Sequence, residues 1–316
     1  MIKLNYPDFW QKRNWASYLM LPFAAIYSLA AKIRYLSISS KKLPGRVICV
    51  GNITVGGTGK TQLVIALAKQ LTKKKITFVI ISKGYGGSFK KAMQAREHMN
   101  PRLVGDEALE LCRHGAVIVA RKVTDAIPLL QELKADIILV DDGAQNPSFF
   151  KDFTIITIDG LRGFGNNFPI PAGPVRKPDI MGETDAIVII SNDNALPPVM
   201  NDKFITTASI TPINNLNKKQ KYYAFAGIGN PERFFDLLKT NGFNLVKTKT
   251  FPDHYFYKNE DIEILEKETG KLLASLITTS KDYVKIQNKA NIKCLDVELK
   301  IKDEEKLMEL IYAKLY

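Results

Sequence analysis

The residues best suited to chemistry in this 316-residue chain stand together in GGTGKT: Gly56, Gly57, Thr58, Gly59, Lys60 and Thr61. Closely spaced glycines let backbone N–H groups approach phosphate oxygens. A lysine then reaches the terminal phosphates and a threonine hydroxyl holds magnesium. The stretch fits the phosphate-loop pattern G-x-x-x-x-G-K-[ST] except at its first glycine, where Thr54 stands, followed by Val55. The remaining glycines can still form the anion nest, so a site for ATP and Mg2+ is expected from Thr54 to Thr61.

Three further groups carry acid or base. Asp141 and Asp142 directly follow the apolar run IILV. That is where a Walker-B-type pair would face the Thr61 magnesium, although an Asp-Asp-Gly turn also ends strands for local reasons. GDEALEL puts Asp106 and Glu107 at the front of a helix. Acids there equally cap a helix and favour its dipole, and the residues alone leave both readings open. His254 in FPDHY is one of three histidines, a residue type able to move protons near neutral pH but more often structural than catalytic.

These groups need a scaffold, and the pattern supplies one. Val47–Val50, Thr77–Ser82, Ala116–Ala120, Ile137–Val140, Phe153–Ile158 and Ala186–Ser191 are short, apolar and rich in β-branched residues. Leu63, Ile65, Ala66, Leu67 and Leu71 recur at helical spacing after the glycine loop. Strands apolar on both faces, alternating with helices, predict an α/β fold: a mostly parallel sheet of the P-loop NTPase type, flanked by helices. Proline and polar residues thicken around 195–220, and the pattern then resumes. The expected division is an N-terminal segment, 1–35, a nucleotide domain, 36–200, and a smaller C-terminal α/β domain, 201–316.

The net charge of +13 is concentrated early, with eight basic residues against Asp8 alone in the first fifty. Lys12, Arg13, Lys32 and Arg34 bracket WASYLMLPFAAIYSLAA, with Trp10 and Trp15 at its front edge. Tryptophan and cations at the rim of an apolar helix form an interfacial signature. The run is marginal against the roughly 20 apolar residues that span a bilayer. We therefore expect a helix lying on an anionic membrane, with a helix packed on its own protein as the alternative. No cleavage site suggests a signal peptide. Cys49, Cys112 and Cys294 show no metal spacing and suit a reducing cytoplasm.

The motifs VGNITVGGTGKT, SKGYGG, GDEALEL, VDDGAQN, IPAGPVRKP, FAGIGNPERFF, FPDHY and TTSKDYVKI occur here in one order. In that combination the chain resembles the tetraacyldisaccharide 4′-kinases of lipid A biosynthesis, which are similar in carrying T-V-G-G-T-G-K-T. The resemblance implies ATP-dependent phosphorylation of the 4′-hydroxyl of an acylated glucosamine disaccharide 1-phosphate on the cytoplasmic face of the bacterial inner membrane. It implies Lys60 and Thr61 as phosphate-loop contacts, Arg121 near the phosphates, and Asp141 and Asp142 on the magnesium side with Glu107 beside the metal. It implies Asp106 as catalytic base and His254 as its partner. The chain departs from the family pattern at Lys83 (SKGYGG for SRGYGG), Ala108, Ala144, Asn146 and Lys177 (RKP for REP), the last losing a carboxylate.

A second function class is a membrane-associated P-loop ATPase switch acting on a protein or DNA partner. Such switches often carry a lysine before the loop glycines, where this chain has Val55. A nucleic-acid partner is not expected, because basic strands interleaved with aromatics are missing from the sequence.

Overall fold

A computed structural model describes residues 7–176, 178–191 and 203–316. Lys3, Lys177 and the proline-containing stretch at the expected domain boundary lie outside them.

The strands are β1 (Arg46–Asn52), β2 (Phe78–Ser82), β3 (Met93–Ala95), β4 (Ala116–Val119), β5 (Ile137–Asp141), β6 (Phe153–Asp159) and β7 (Ala186–Ile190), then β8 (Phe204–Pro212), β9 (Lys221–Ala226), β10 (Asn244–Thr250), β11 (Ser275–Thr279), β12 (Ile292–Leu295) and β13 (Val297–Ile301). Nine form one sheet in the order β13-β8-β7-β6-β1-β5-β2-β4-β3; four form a second, β10-β9-β11-β12. The small sheet is parallel throughout. The large one is parallel except where β3 meets β4 and β13 meets β8.

Alternation along the central strands explains why they read as unbroken apolar runs. Ile48 and Val50 of β1 pack on one side with Leu63, Leu67 and Leu71 of the helix Lys60–Lys73 and with Leu307 and Ile311 of Glu304–Leu315. Val47 and Cys49 pack on the other side with Leu130 and Ile180. With both faces covered, neither can be polar. The small sheet repeats the plan, with Phe234, Phe235 and Leu238 on one face and Ile262 and Leu265 on the other.

Two expectations change. The smaller lobe does not take in all of 201–316, because β8, β13 and the helix Glu304–Leu315 belong to the large sheet. The chain leaves the large sheet after Pro212, builds the second sheet and returns at Val297, the residue paired with Pro212. Trp10 is also not an interfacial residue: it is buried, and its Nε1 donates to the Pro171 carbonyl at 2.9 Å. The segment expected as one helix is two, Trp15–Leu19 and Leu21–Ser37, because Pro22 starts a new helix in its first turn. Asn14 caps the first by accepting from the Ser17 N–H at 3.0 Å. Trp15, Phe23, Ile26, Leu29, Ile33 and Leu36 remain exposed, and only Ala24 of the longer helix is buried.

Candidate active site

β1 lies between β6 and β5, so the chain connections diverge to opposite sides beyond its carboxyl end. Such a crevice is where open α/β sheets bind ligands. The glycine loop fills it. Gly59, with φ 84°, is the left-handed residue that turns the loop into the helix beginning at Lys60, and a Cβ there would come within 2.6 Å of Ile190 Cδ1. A Cβ on Gly57 would instead meet open space, which leaves that side of the loop free for a ligand.

The residue in place of the missing first glycine is a structural anchor. Thr54 is buried and bridges to Val175, while the Val55 N–H donates to the Pro174 carbonyl at 2.9 Å. The side-chain amide of Asn52 donates to the Thr54 and Gly56 carbonyls at 2.6 and 3.3 Å. Thr58 is also buried, its hydroxyl 2.7 Å from that of Thr157. Thr54, Val55 and Thr58 are thus held by the protein, and Gly56, Gly57, Gly59, Lys60 and Thr61 form the rest of the loop.

The acids ending the adjacent strand reach the loop. The Thr61 hydroxyl donates to Asp141 Oδ2 at 3.2 Å, while Asp141 Oδ1 is buried without a hydrogen-bond partner. Burial drives the Asp141 carboxyl well above the ordinary range, and Glu107 and Asp142 add to this. A hydroxyl and a buried carboxylate with one orphaned oxygen are oxygen donors of the kind a divalent cation takes. Asp142 differs: Lys60, Lys83 and Arg176 lie 3.5, 3.4 and 3.6 Å away. Burial would raise its carboxyl too, but these cations outweigh it and hold it below the usual range. Lys83 therefore keeps a charge contact at the site despite its departure from the arginine of the family pattern. Asn146 accepts from the Ser148 N–H at 3.0 Å, a turn contact, and buried Ala144 packs against Gly51.

Asp106 and His254, 148 positions apart in sequence, meet. His254 Nδ1 is 3.0 Å from both carboxylate oxygens of Asp106, which is almost wholly buried. The imidazole is placed by a backbone at φ 58°, by the His254 backbone N–H donating to the Gly227 carbonyl at 3.1 Å, and by the ring of Tyr85 at 4.8 Å. Burial alone would raise the Asp106 carboxyl; the His254 hydrogen bond and the charges of Lys281, His254 and Lys285 bring it down to about 2. Glu107 faces Lys281 Nζ at 3.0 Å, and Lys281 also lies 3.5 Å from His254 Nε2. The imidazole thus stands between an ammonium on its Nε2 side and the Asp106 carboxylate at Nδ1.

Arg121 is anchored on the neighbouring glycine turn. Its guanidinium donates to the Gly84 and Gly87 carbonyls and lies 4.4 Å from the Phe89 ring centroid, holding the SKGYGG turn that carries Tyr85. Asn52, Tyr85, Arg176, Lys281 and Lys285 join the site without having been singled out from sequence. Arg176, Lys281 and Lys285 do lie within the quoted motifs IPAGPVRKP and TTSKDYVKI, which was the available signal.

The sequence model of the LpxK family, tetraacyldisaccharide-1-P 4′-kinase, matches residues 16–316. The chain belongs to this family. It is 48% identical over 325 residues to the tetraacyldisaccharide 4′-kinase of Rickettsia canadensis, covering 99% of this chain and 98% of the relative. It is 47% identical over 322 residues to that of Rickettsia conorii, covering 99% and 100%. Among solved structures, LpxK from Aquifex aeolicus, crystallised in complex with ATP, superposes with a TM-score of 0.78 at 27% identity, covering 95% of this chain and 99% of that one. Membership of the 4′-kinase family disfavours the ATPase-switch reading.

Proposed function

We propose that this chain transfers the γ-phosphoryl group of ATP to the 4′-hydroxyl of a tetraacylated glucosamine disaccharide 1-phosphate, giving the bisphosphorylated lipid A precursor. The reading rests on family membership, and one observation of geometry supports it: a buried carboxylate bonded to a part-buried imidazole begins the helix that packs on the phosphate-loop helix, an arrangement suited to transfer to an alcohol.

Lys60 neutralises charge on the transferring group, and the backbone of residues 56–61 cradles the phosphates. Asp106 is ionised at neutral pH and accepts the hydroxyl proton as the sugar oxygen bonds to phosphorus and ADP departs. His254 fixes the rotation of the carboxylate. Phosphoryl transfer leaves little covalent work to the protein, so an acidic but well-placed carboxylate suffices. Thr61 and Asp141 would hold Mg2+, with Asp142 and Glu107 within the same electrostatic field. Mg2+ held there would supply neutralisation of phosphate charge. Arg121 acts on this reading through the glycine turn it holds.

The acceptor is a lipid, and the N-terminal helices suit its location. No helix of the described residues is long and apolar enough to cross a membrane. The exposed row of Phe23, Ile26, Leu29, Ile33 and Leu36, with Lys12, Arg13, Lys32 and Arg34 nearby, suits a helix lying on the anionic cytoplasmic face of the inner membrane. The nucleotide lobe and the lobe carrying His254 would then close over the sugar as two domains.

The test is incubation with radiolabelled ATP and tetraacyldisaccharide 1-phosphate in mixed micelles. A singly labelled bisphosphorylated lipid is expected. ATP hydrolysis without a labelled lipid would overturn the assignment.

A further inference from the structure

Lys285 is the most deeply buried cation of the site, its side chain fully shielded from solvent. It follows the short helix Ser280–Tyr283 of the smaller lobe. Its ammonium lies 2.6 Å from Asp282 Oδ1, 3.4 Å from the Gly227 carbonyl and 3.6 Å from Asp106 Oδ2, with the Tyr257 ring centroid at 5.6 Å. Burying an ammonium is costly unless it is paired. Asp282 alone would supply a partner, and the reach to Asp106, on the other lobe, calls for a further explanation.

The framework around Lys285 is the one that places His254. The Gly227 carbonyl accepts from the His254 backbone N–H and from Lys285 Nζ. The Gly227 N–H donates to Asp282 Oδ2 at 2.9 Å, and the Thr279 hydroxyl donates to the same oxygen at 2.9 Å. Gly227 is closely enclosed, since a Cβ would sit 3.0 Å from the Tyr257 hydroxyl, 3.1 Å from the Pro252 carbonyl and 3.2 Å from Asp282 Oδ1. One rigid knot at the ends of β9 and β11 thus offers two groups, an imidazole and an ammonium, to one carboxylate.

We infer that Lys285 is a positioning residue for the transfer reaction: together with His254 it clamps the Asp106 carboxylate, so that the rotation presenting an oxygen to the acceptor hydroxyl exists only when the two lobes are joined. This rests on the reading of Asp106 as the base. Asp106 Oδ1 also accepts from the Glu107 backbone N–H at 2.9 Å, so Oδ1 is held without Lys285 while Oδ2 has only the imidazole; the ammonium gives Oδ2 a second contact and fixes the carboxylate at both oxygens. Misplacement by an ångström costs catalysis heavily while leaving nucleotide binding intact.

Lys285→Met, which keeps length and removes charge, tests the inference in the wild-type and the Asp106→Asn backgrounds. Expected is a 10- to 100-fold fall in kcat with the KM for ATP changed less than about twofold, and a further fall of less than about twofold in the Asp106→Asn background, because residues acting as a unit are non-additive. An unchanged kcat, or the same fold-loss in both backgrounds, overturns the inference and leaves Lys285 as the counter-ion of Asp282. Full turnover by Asp106→Asn would bring down the base assignment itself. If Lys285→Met fails to bind a fluorescent ATP analogue, Asp282→Asn replaces it: the ammonium stays but loses its anchor. A smaller kcat loss, again abolished by Asp106→Asn, is then expected, and an equal loss in both backgrounds overturns the inference.

Discussion

At the residue scale, the loop lysine and the carboxylate–imidazole pair do separable jobs. Lys60→Ala removes the cation nearest the developing phosphoryl charge, and turnover should drop about 10²- to 10³-fold. Its contact with Asp142, 3.5 Å away, is one of three cations there, so the melting temperature should stay near that of the wild type in a calorimetric scan. Asp106→Ala and His254→Ala should each lower kcat by about 10²- to 10³-fold, within the span of general acid–base effects. The double variant should lose far less than the product of the two, as steady-state kinetics on the three proteins will decide. Asp106 and His254 stood out as a pair only through the family resemblance, whereas Lys60, Thr61 and the Asp141–Asp142 pair were legible because their types and spacings announce chemistry. Arg176, Lys281 and Lys285 were not, because a lone basic residue has no local signature and their partners lie far away in sequence, Asp106 being 179 positions from Lys285.

At the scale of elements, legibility followed burial. β1, β5, β6 and β7 are covered on both faces and stand out as apolar runs. β8, FITTASITP, and β13, VELKI, sit at the sheet edge with half-polar patterns, and nothing local shows that they pair with each other. The N-terminal segment shows the same limit. Two tryptophans five positions apart carry the same sequence signal, yet Trp10 is tucked under the loop 165–172 while Trp15 faces outward. The two predictions therefore diverge. Trp10→Ala should destabilise the fold by about 3–5 kcal/mol, as truncating a buried aromatic does, measurable by urea denaturation. Phe23→Glu with Ile26→Glu should leave that midpoint unchanged but cut sedimentation with anionic vesicles at least tenfold, since each change removes an exposed apolar contact and adds a like charge.

At the scale of the whole molecule, the two lobes meet along the helices Asp106–Cys112 and Ser280–Tyr283. Glu110 sits in that joint, accepting from the Ser280 hydroxyl at 2.6 Å and from the Gln62 amide at 3.1 Å. Burial raises its carboxyl above the ordinary glutamate value of 4.5, despite both hydrogen bonds and the Lys281 charge. The folded state therefore binds this proton more readily than the unfolded chain does, and the contribution of Glu110 to stability weakens as pH rises above the unfolded value. Glu110→Gln keeps the acceptor oxygen without the titration. Relative to wild type it should gain stability as pH is raised from 5 toward 8, read from denaturation midpoints across that range. A gain that shrinks on raising the pH would show that the carboxylate, not the acid, is the form the joint prefers.

The excursion of the chain out of the large sheet at Pro212 and back at Val297 also orders events during synthesis. β13 and the helix Glu304–Leu315 emerge from the ribosome only after every residue of the smaller sheet. Until then β8 has an open edge, and the apolar face that Leu299, Leu307, Ile311 and Leu315 will cover is wet. The nucleotide lobe, first to appear, is thus last to be sealed. A nascent chain with its phosphate loop already translated still exposes a sticky sheet margin, which gives holding chaperones a defined window of action.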